Sequence, residues 1–283
     1  MLRSPPNPTE CGKNKDAPRK EHRFHTRHDF SPNPALELYE VIRALARQNA
    51  IIEYPQIRNT LEAIASPLRQ RRDLSKILAT MGELGLLDVC PKGIRYNHTF
   101  GESLFGRRLW RRKFVSVVHS LYALGHHGTV ADPRWSYREA CRILTESAPI
   151  GISADELVME VVLRAKQCFA TDKVSFSRSS VGGIKAWLEA LDPPLISVEK
   201  GRLVAVPDNE RASSLVVDIV STAVTLAGGS LPLDAAATSN LAVAMLVPPN
   251  RLRRILYSFL EPTNGIVLLD EYPQRLWRVL ETH

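Results

Sequence analysis

Apolar residues recur at helical spacing in one segment after another along this chain, and three times the last helical segment gives way to two short extended runs. Leu38, Val41, Ile42 and Leu45 follow i, i+3, i+4, i+7 spacing and predict a helix opening at Pro34. Ile51-Ile52-Glu53-Tyr54 is a short extended candidate. Pro55 opens a second helix to Ala65, and Ser66-Pro67 marks a third, in which Leu74, Ile77, Leu78 and Met81 keep the spacing. Leu86–Cys90, the turn Pro91-Lys92-Gly93 and Ile94–Tyr96 then read as strand, tight turn and strand.

The same ending returns twice as a pattern, though not as a residue repeat. Val181, Ile184, Leu188 and Leu191 mark a helix stopped by Pro193-Pro194, after which Leu195–Val198 pairs with Arg202–Val206 across Glu199-Lys200-Gly201. Farther on, Pro248-Pro249 starts a helix with Leu252, Ile255, Leu256 and Phe259 facing inward, and Ile266–Asp270 pairs with Leu276–Leu280. A helix from Ser213 to Leu226, the Ser230–Leu233 segment and a helix after Asp234 supply the earlier elements there. Between the first two endings the spacing predicts helices from about Leu104 to Leu124, Ser136 to Leu144 and Ser153 to Phe169. The first of these is surplus and is expected to be a connector or an additional first helix.

Helix, short strand, helix, helix, hairpin is an order that resembles the winged-helix superfamily, and the likeness spans most of residues 35–283 through element order and hairpin position. It implies a mainly α fold with short β-hairpins (α+β), arranged as tandem winged-helix units, three in number. Unit 1 covers 35–100, a connector helix plus a second unit covers 101–207, and unit 3 covers 208–283. Residues 1–34 hold six prolines, seven Lys or Arg, four acids and three histidines with almost no apolar periodicity, the composition of a disordered basic arm.

With 283 residues and 44% hydrophobic composition, the chain is long enough for two or three small cores. Its formal charge of +7 suits a polyanionic partner. No apolar stretch approaches the roughly 20 residues of a membrane span. There is no secretory h-region, which predicts a cytoplasmic, nucleoid-associated location, or a nuclear one in a nucleated cell. The cysteines at 11, 90, 141 and 168 lack C-x-x-C spacing and read as reduced thiols.

Winged helices that bind duplex DNA place the third helix in the major groove and the wing near phosphate or the minor groove. The resemblance therefore puts Arg69, Gln70, Arg71, Arg72 and Lys76 on the first recognition helix, with Lys92 and Arg95 on its wing. Arginine can bridge guanine O6 and N7, glutamine can do the same for adenine, and lysine neutralises phosphate. The bland alternative is the solvated face of an amphipathic helix. Arg178, Lys185, Lys200 and Arg202 form a weaker second group. In the third unit Arg251, Arg253 and Arg254 are basic, but the hairpin carries Asp270, Glu271 and Tyr272 near its tip, and the two acids would repel phosphate and suit protein contact instead.

The densest basic run, Arg107, Arg108, Arg111, Arg112 and Lys113, interleaves Leu109, Trp110 and Phe114. It reads either as a phosphate-binding stripe or as an exposed helix start whose Trp110 and Phe114 pack inward. Cys11 with His22, His25 and His28, or His119, His126 and His127 with Cys141, lack zinc-finger spacing, so no metal and no cofactor are assigned. Nucleotide-binding and common hydrolase motifs are absent. The expectation is a non-catalytic protein that binds double-stranded DNA, as a transcriptional regulator or a DNA-recognition subunit. The alternatives are a scaffold or dimeric accessory subunit of a chromosome-organising or similar assembly, joined through residues 208–283, and a nuclease with an unrecognised site.

Overall fold

A computed structural model describes residues 30–46, 51–106, 109–124, 133–170, 172–207, 213–259, 266–269 and 275–278. The described residues form a mostly helical α+β fold with small antiparallel sheets. Three stretches share one order. The first runs through α1 (Pro32–Ala46), an isolated bridge at Ile52, α2 (Tyr54–Ala63), α3 (Leu74–Glu83) and the hairpin β1 (Leu87–Cys90) and β2 (Gly93–Tyr96). After α4 (His98–Phe105) and α5 (Arg111–Leu124), the second runs through α6 (Pro133–Glu146), β3 (Ile152–Ser153), α7 (Ala154–Phe169), α8 (Arg178–Ala190), β4 (Ile196–Glu199) and β5 (Arg202–Ala205). The third comprises α9 (Ser213–Leu226), β6 (Ser230–Pro232), α10 (Ala235–Ala244), α11 (Pro249–Phe259), β7 (Ile266–Leu269) and β8 (Arg275–Arg278).

Strand pairing repeats with the order. In each stretch the short segment after the first helix lies beside the second hairpin strand: Ile52 against Ile94, β3 against β5, β6 against β8. The hairpin turns follow from local chemistry. At the second, Lys200 and Gly201 both take positive φ, +48° and +78°. Positive φ at both central residues is what a two-residue turn matching the strand twist requires. At the first, a Cβ on Gly93 would sit 2.3 Å from the carbonyl oxygen of Ile52, so only glycine lets the Ile52 bridge close onto β2.

Two expected helices are broken, and each break has a physical cause. The helix expected to begin at Ser66 is instead a short 3-10 turn, Pro67–Gln70, followed by an extended Arg71, with α3 starting only at Leu74. Leu68 and Ile77 are both buried, yet nine residues along an α-helix amount to two and a half turns, which would put them on opposite faces. The Ser66 hydroxyl accepts the Leu68 N–H at 2.9 Å and closes the tighter turn. Arg71 then grips Asp73 through Nε–Oδ1 at 2.8 Å and Nη2–Oδ2 at 2.5 Å. The helix expected from Leu104 to Leu124 is likewise two helices. Gly106, with φ +64°, caps α4, and its N–H donates to the Glu102 carbonyl at 2.9 Å.

The expected connector is the centre of the molecule. Every residue of α5 from Phe114 to Ala123 is buried, and the helix packs against α1, α4, α6, α8, α9 and α10. Its polar positions are satisfied internally. Ser116 and Ser120 donate to the carbonyls of Arg112 and Ser116. The His119 Nδ1 lies 2.8 Å from the Tyr137 hydroxyl and its Nε2 lies 2.8 Å from the Ala244 carbonyl. A carbonyl can only accept, so Nε2 carries the proton and Tyr137 donates to Nδ1. Burial pushes the His119 pKa down to about 4.

Residues 1–29 of the expected basic arm lie outside the described residues, and Phe30, upstream of the expected helix start at Pro34, belongs to the core. Phe30 is buried against Trp187 and Tyr122, and the Trp187 indole N–H donates to its carbonyl at 2.8 Å. Helix α9, whose apolar sequence suggested an outward contact, spends that surface inside, with Leu215, Val216, Ile219, Val220, Ala223 and Val224 buried. Among the described residues, no helix is long and apolar enough to cross a membrane.

Candidate nucleic-acid interface

Helix α1 anchors one residue from each of two basic segments on a single face. Asn33 and Glu37 lie four residues apart, hence on one face and roughly 6 Å from each other. The Arg111 guanidinium donates to Asn33 Oδ1 at 3.3 Å, and the Ser66 hydroxyl donates to Glu37 Oε1 at 2.5 Å. The first contact seats the start of α5, and the second seats the turn carrying Arg69–Arg72. Residues 78 and 29 positions apart in sequence thereby flank the same helix face. Farther along α1, Arg43 donates to the Gly106 carbonyl at 2.9 Å and holds the reversal between α4 and α5.

The cations here differ in how far they are committed to other contacts. Arg69, Gln70 and Arg72 are exposed and make no side-chain hydrogen bond or ion pair among the described residues. Arg71 is tied to Asp73 and holds its carboxyl below the usual range, chiefly by donating hydrogen bonds. Within this basic group only Lys76 is part of α3, on its exposed side, while Arg69–Arg72 stand on the turn that leads into the helix N-terminus. On the β1–β2 hairpin, Lys92 and Arg95 are exposed, Arg95 standing opposite Asp88. Tyr54 of α2 donates to the Cys90 carbonyl at 3.3 Å and braces the hairpin.

The start of α5 separates into inward and outward positions. Phe114 is fully buried and Leu109 packs on the core, while Trp110 is 63% exposed between them. Arg111 and Arg112 are exposed, and no acid occupies the first turn. Lys113 is committed elsewhere: its ammonium donates to Asp218 Oδ1 of α9 at 2.7 Å, in a pair largely withdrawn from water. Arg107 and Arg108 lie outside the described residues.

In the second stretch three of the four expected cations are paired. Arg178 forms a bidentate ion pair with Asp155, and Arg202 bridges Glu156 at 3.0 Å and the Gly151 carbonyl at 2.9 Å. Lys185 pairs with Glu189 at 3.5 Å one turn along α8. Lys200 stands exposed at the hairpin turn. In the third, Arg251, Arg253 and Arg254 lie exposed on α11, and the expected acidic tip at Asp270, Glu271 and Tyr272 lies outside the described residues.

Sequence reasoning missed the network around Arg164, whose guanidinium joins Glu139 at 2.8 Å, Glu146 at 2.6 Å and Glu160 at 2.9 Å. Only the Glu160 contact, at i, i+4, was legible in the spacing. On the same helix Met159 and Leu163 are exposed one turn apart, and Ile150, before β3, is 77% exposed. Among the described residues, no group of three or more His, Cys, Asp or Glu is placed to hold a metal ion. Cys11, His22, His25, His28, His126 and His127 lie outside the described residues, and Cys141 is buried with its pKa raised by desolvation. The chain matches no family model, no curated protein and no solved structure.

Proposed function

We propose that this protein is a non-catalytic DNA-binding protein of three tandem winged-helix units that grips double-stranded DNA through its first unit, as a transcriptional regulator or DNA-recognition subunit. The observation that carries this is that two segments bearing exposed cations, Arg69–Arg72 and Arg111–Arg112, are each anchored to the same face of α1, the first by Ser66 on Glu37 and the second by Arg111 on Asn33. Exposed arginines without acid partners keep their full attraction for phosphate. The thrice-repeated order, with the short strand beside the second hairpin strand each time, supports the winged-helix assignment.

The position of Arg69–Arg72 alters the docking expected from the sequence. Recognition helices present their N-terminal residues to base edges while flanking segments take the backbone. Arg69 and Arg72, on the turn before α3, suit phosphate contact, whereas Ser75 and Lys76 on the exposed helix start suit the groove. Fluorescence anisotropy of a labelled duplex, titrated over a range of salt concentrations, tests this. Affinity should fall linearly with log salt, with a slope of about −0.9 per phosphate contact. A salt-insensitive interaction, or none, removes the proposal.

A second reading is assembly with a protein partner, and one observation favours it: the exposed Ile150, Met159 and Leu163. On this reading the contact surface includes α7 and the residues before it, while α9, within residues 208–283, has its apolar side buried. Sedimentation that shows a monomer, unchanged by Met159→Asp, counts against self-association there.

A further inference from the structure

We propose that Trp110 is a stacking platform for an unpaired base, so that the ligand of this face is DNA with single-stranded nucleotides adjoining the duplex. This rests on the DNA-binding reading above and specifies its substrate. An indole is among the residues most costly to leave in water, and the neighbours of Trp110 show that burial was open to this segment. Leu109 and Phe114 on either side both turn into the core, while Trp110 stays 63% exposed.

The backbone beneath the exposed ring is fixed. The Trp110 carbonyl accepts the Phe114 N–H at 2.9 Å, so this residue sits at the first hydrogen-bonded turn of α5 and is not part of a loose loop. With Phe114 anchored in the core and Arg111 tied to Asn33, the indole has a fixed base. Arg111 and Arg112 beside it are exposed, and the first turn of α5 has no carboxylate to compete for them.

A flat aromatic face next to cations that track a phosphate backbone is the arrangement that binds single strands. Closed duplex offers base edges in its grooves but keeps the base faces stacked, so an indole face gains little from it. An unpaired nucleotide exposes its face. The Arg69–Arg72 turn, on the same side of α1, is then positioned for the adjoining duplex phosphates.

The test compares Trp110→Ala with the unaltered chain on two probes, a blunt duplex and the same duplex with a short single-stranded overhang. Stacking of one base corresponds to about a 5- to 150-fold change in affinity. The variant should lose that much on the overhang probe and less than about twofold on the blunt duplex, with Trp110→Phe recovering most of the loss. Overhang binding should also quench tryptophan emission in the unaltered chain, and this quench should vanish in Trp110→Ala. Equal losses on both probes, or no loss on either while duplex binding persists, overturn the stacking role alone. Failure of the unaltered chain to bind either probe overturns the DNA-binding reading itself. Because Trp110 is exposed, circular dichroism should show both variants folded.

Discussion

The turn before α3 and the stretch from α8 to β5 carry comparable numbers of cations, yet the first leaves two arginines available while the second has both of its arginines paired. Arg69 and Arg72 stand in solvent without a partner among the described residues, whereas Arg178 and Arg202 are held by Asp155 and Glu156. The difference lies in the helix before. Helix α7 opens with a capping box, the Ser153 hydroxyl accepting the Glu156 N–H and the Glu156 carboxylate accepting the Ser153 N–H. That box puts two acids in the first turn of α7, where the N-terminus of α8 and β5 can reach them. Helix α2 has no acid in its first turn. Counting basic residues therefore says less about a polyanion site than asking which acids the fold brings to them.

The largest expected effect tests that contrast directly. Replacing Arg69, Arg72, Arg111 and Arg112 by alanine should reduce the salt slope by about 3.6 and lower DNA affinity by up to about a thousandfold at 0.15 M salt, if each touches one phosphate. The matching change at Arg178, Lys185, Lys200 and Arg202 should leave the slope nearly unaltered. Equal effects in the two regions would erase the distinction between them.

The buried joint at His119, where α5 meets α6 and α10, gives the next largest effect. The folded pKa is pushed down to about 4 from an ordinary 6.5. Above pH 6.5 both folded and unfolded chains hold the imidazole neutral, so this group contributes no pH dependence. As pH falls from 6.5 towards 4, only the unfolded chain takes up the proton, and stability falls by about 3 kcal/mol in total. Urea titrations across that window should show the slope, and His119→Gln should flatten it. If His119→Gln retains the full acid sensitivity, the joint is not its source.

A smaller effect would sharpen the comparison from the other side. Asp155→Ala with Glu156→Ala removes the acids that hold Arg178 and Arg202. If pairing is what withholds these arginines, the double variant should bind DNA more tightly, with its salt slope steepened by up to about two. An unchanged slope would show that the second region is turned away from the ligand whether its cations are paired or not.

Much of the architecture was legible because it follows from local chemistry. Proline at helix starts, apolar spacing, and turn residues such as Lys200-Gly201 predicted most of the element order and all three hairpins. The first turn of α3 was misread because periodicity cannot tell that Leu68 and Ile77, nine residues apart, are both buried. The break between α4 and α5 and the full burial of α5 were not legible for a related reason: Ser116, His119 and Ser120 are buried because their partners are backbone carbonyls and the hydroxyl of Tyr137, contacts that spacing does not reveal.

The candidate site divides the same way. Residue identity along the chain was enough to mark Arg69–Arg72 and Arg111–Arg112 as basic and Trp110 as notable. Sequence neighbours alone could say neither that Lys113 would be drawn to Asp218, 105 residues away, nor that Trp110 would point outward while Phe114 points in. Nor could they say that Asn33 and Glu37 would gather two distant basic segments to one side of α1. Helices and turns are set by interactions a few residues long, and so they are written locally. Whether a charge is paired, and what stands beside it, depends on contacts between residues far apart in the chain, which exist only once the core around α5 has formed.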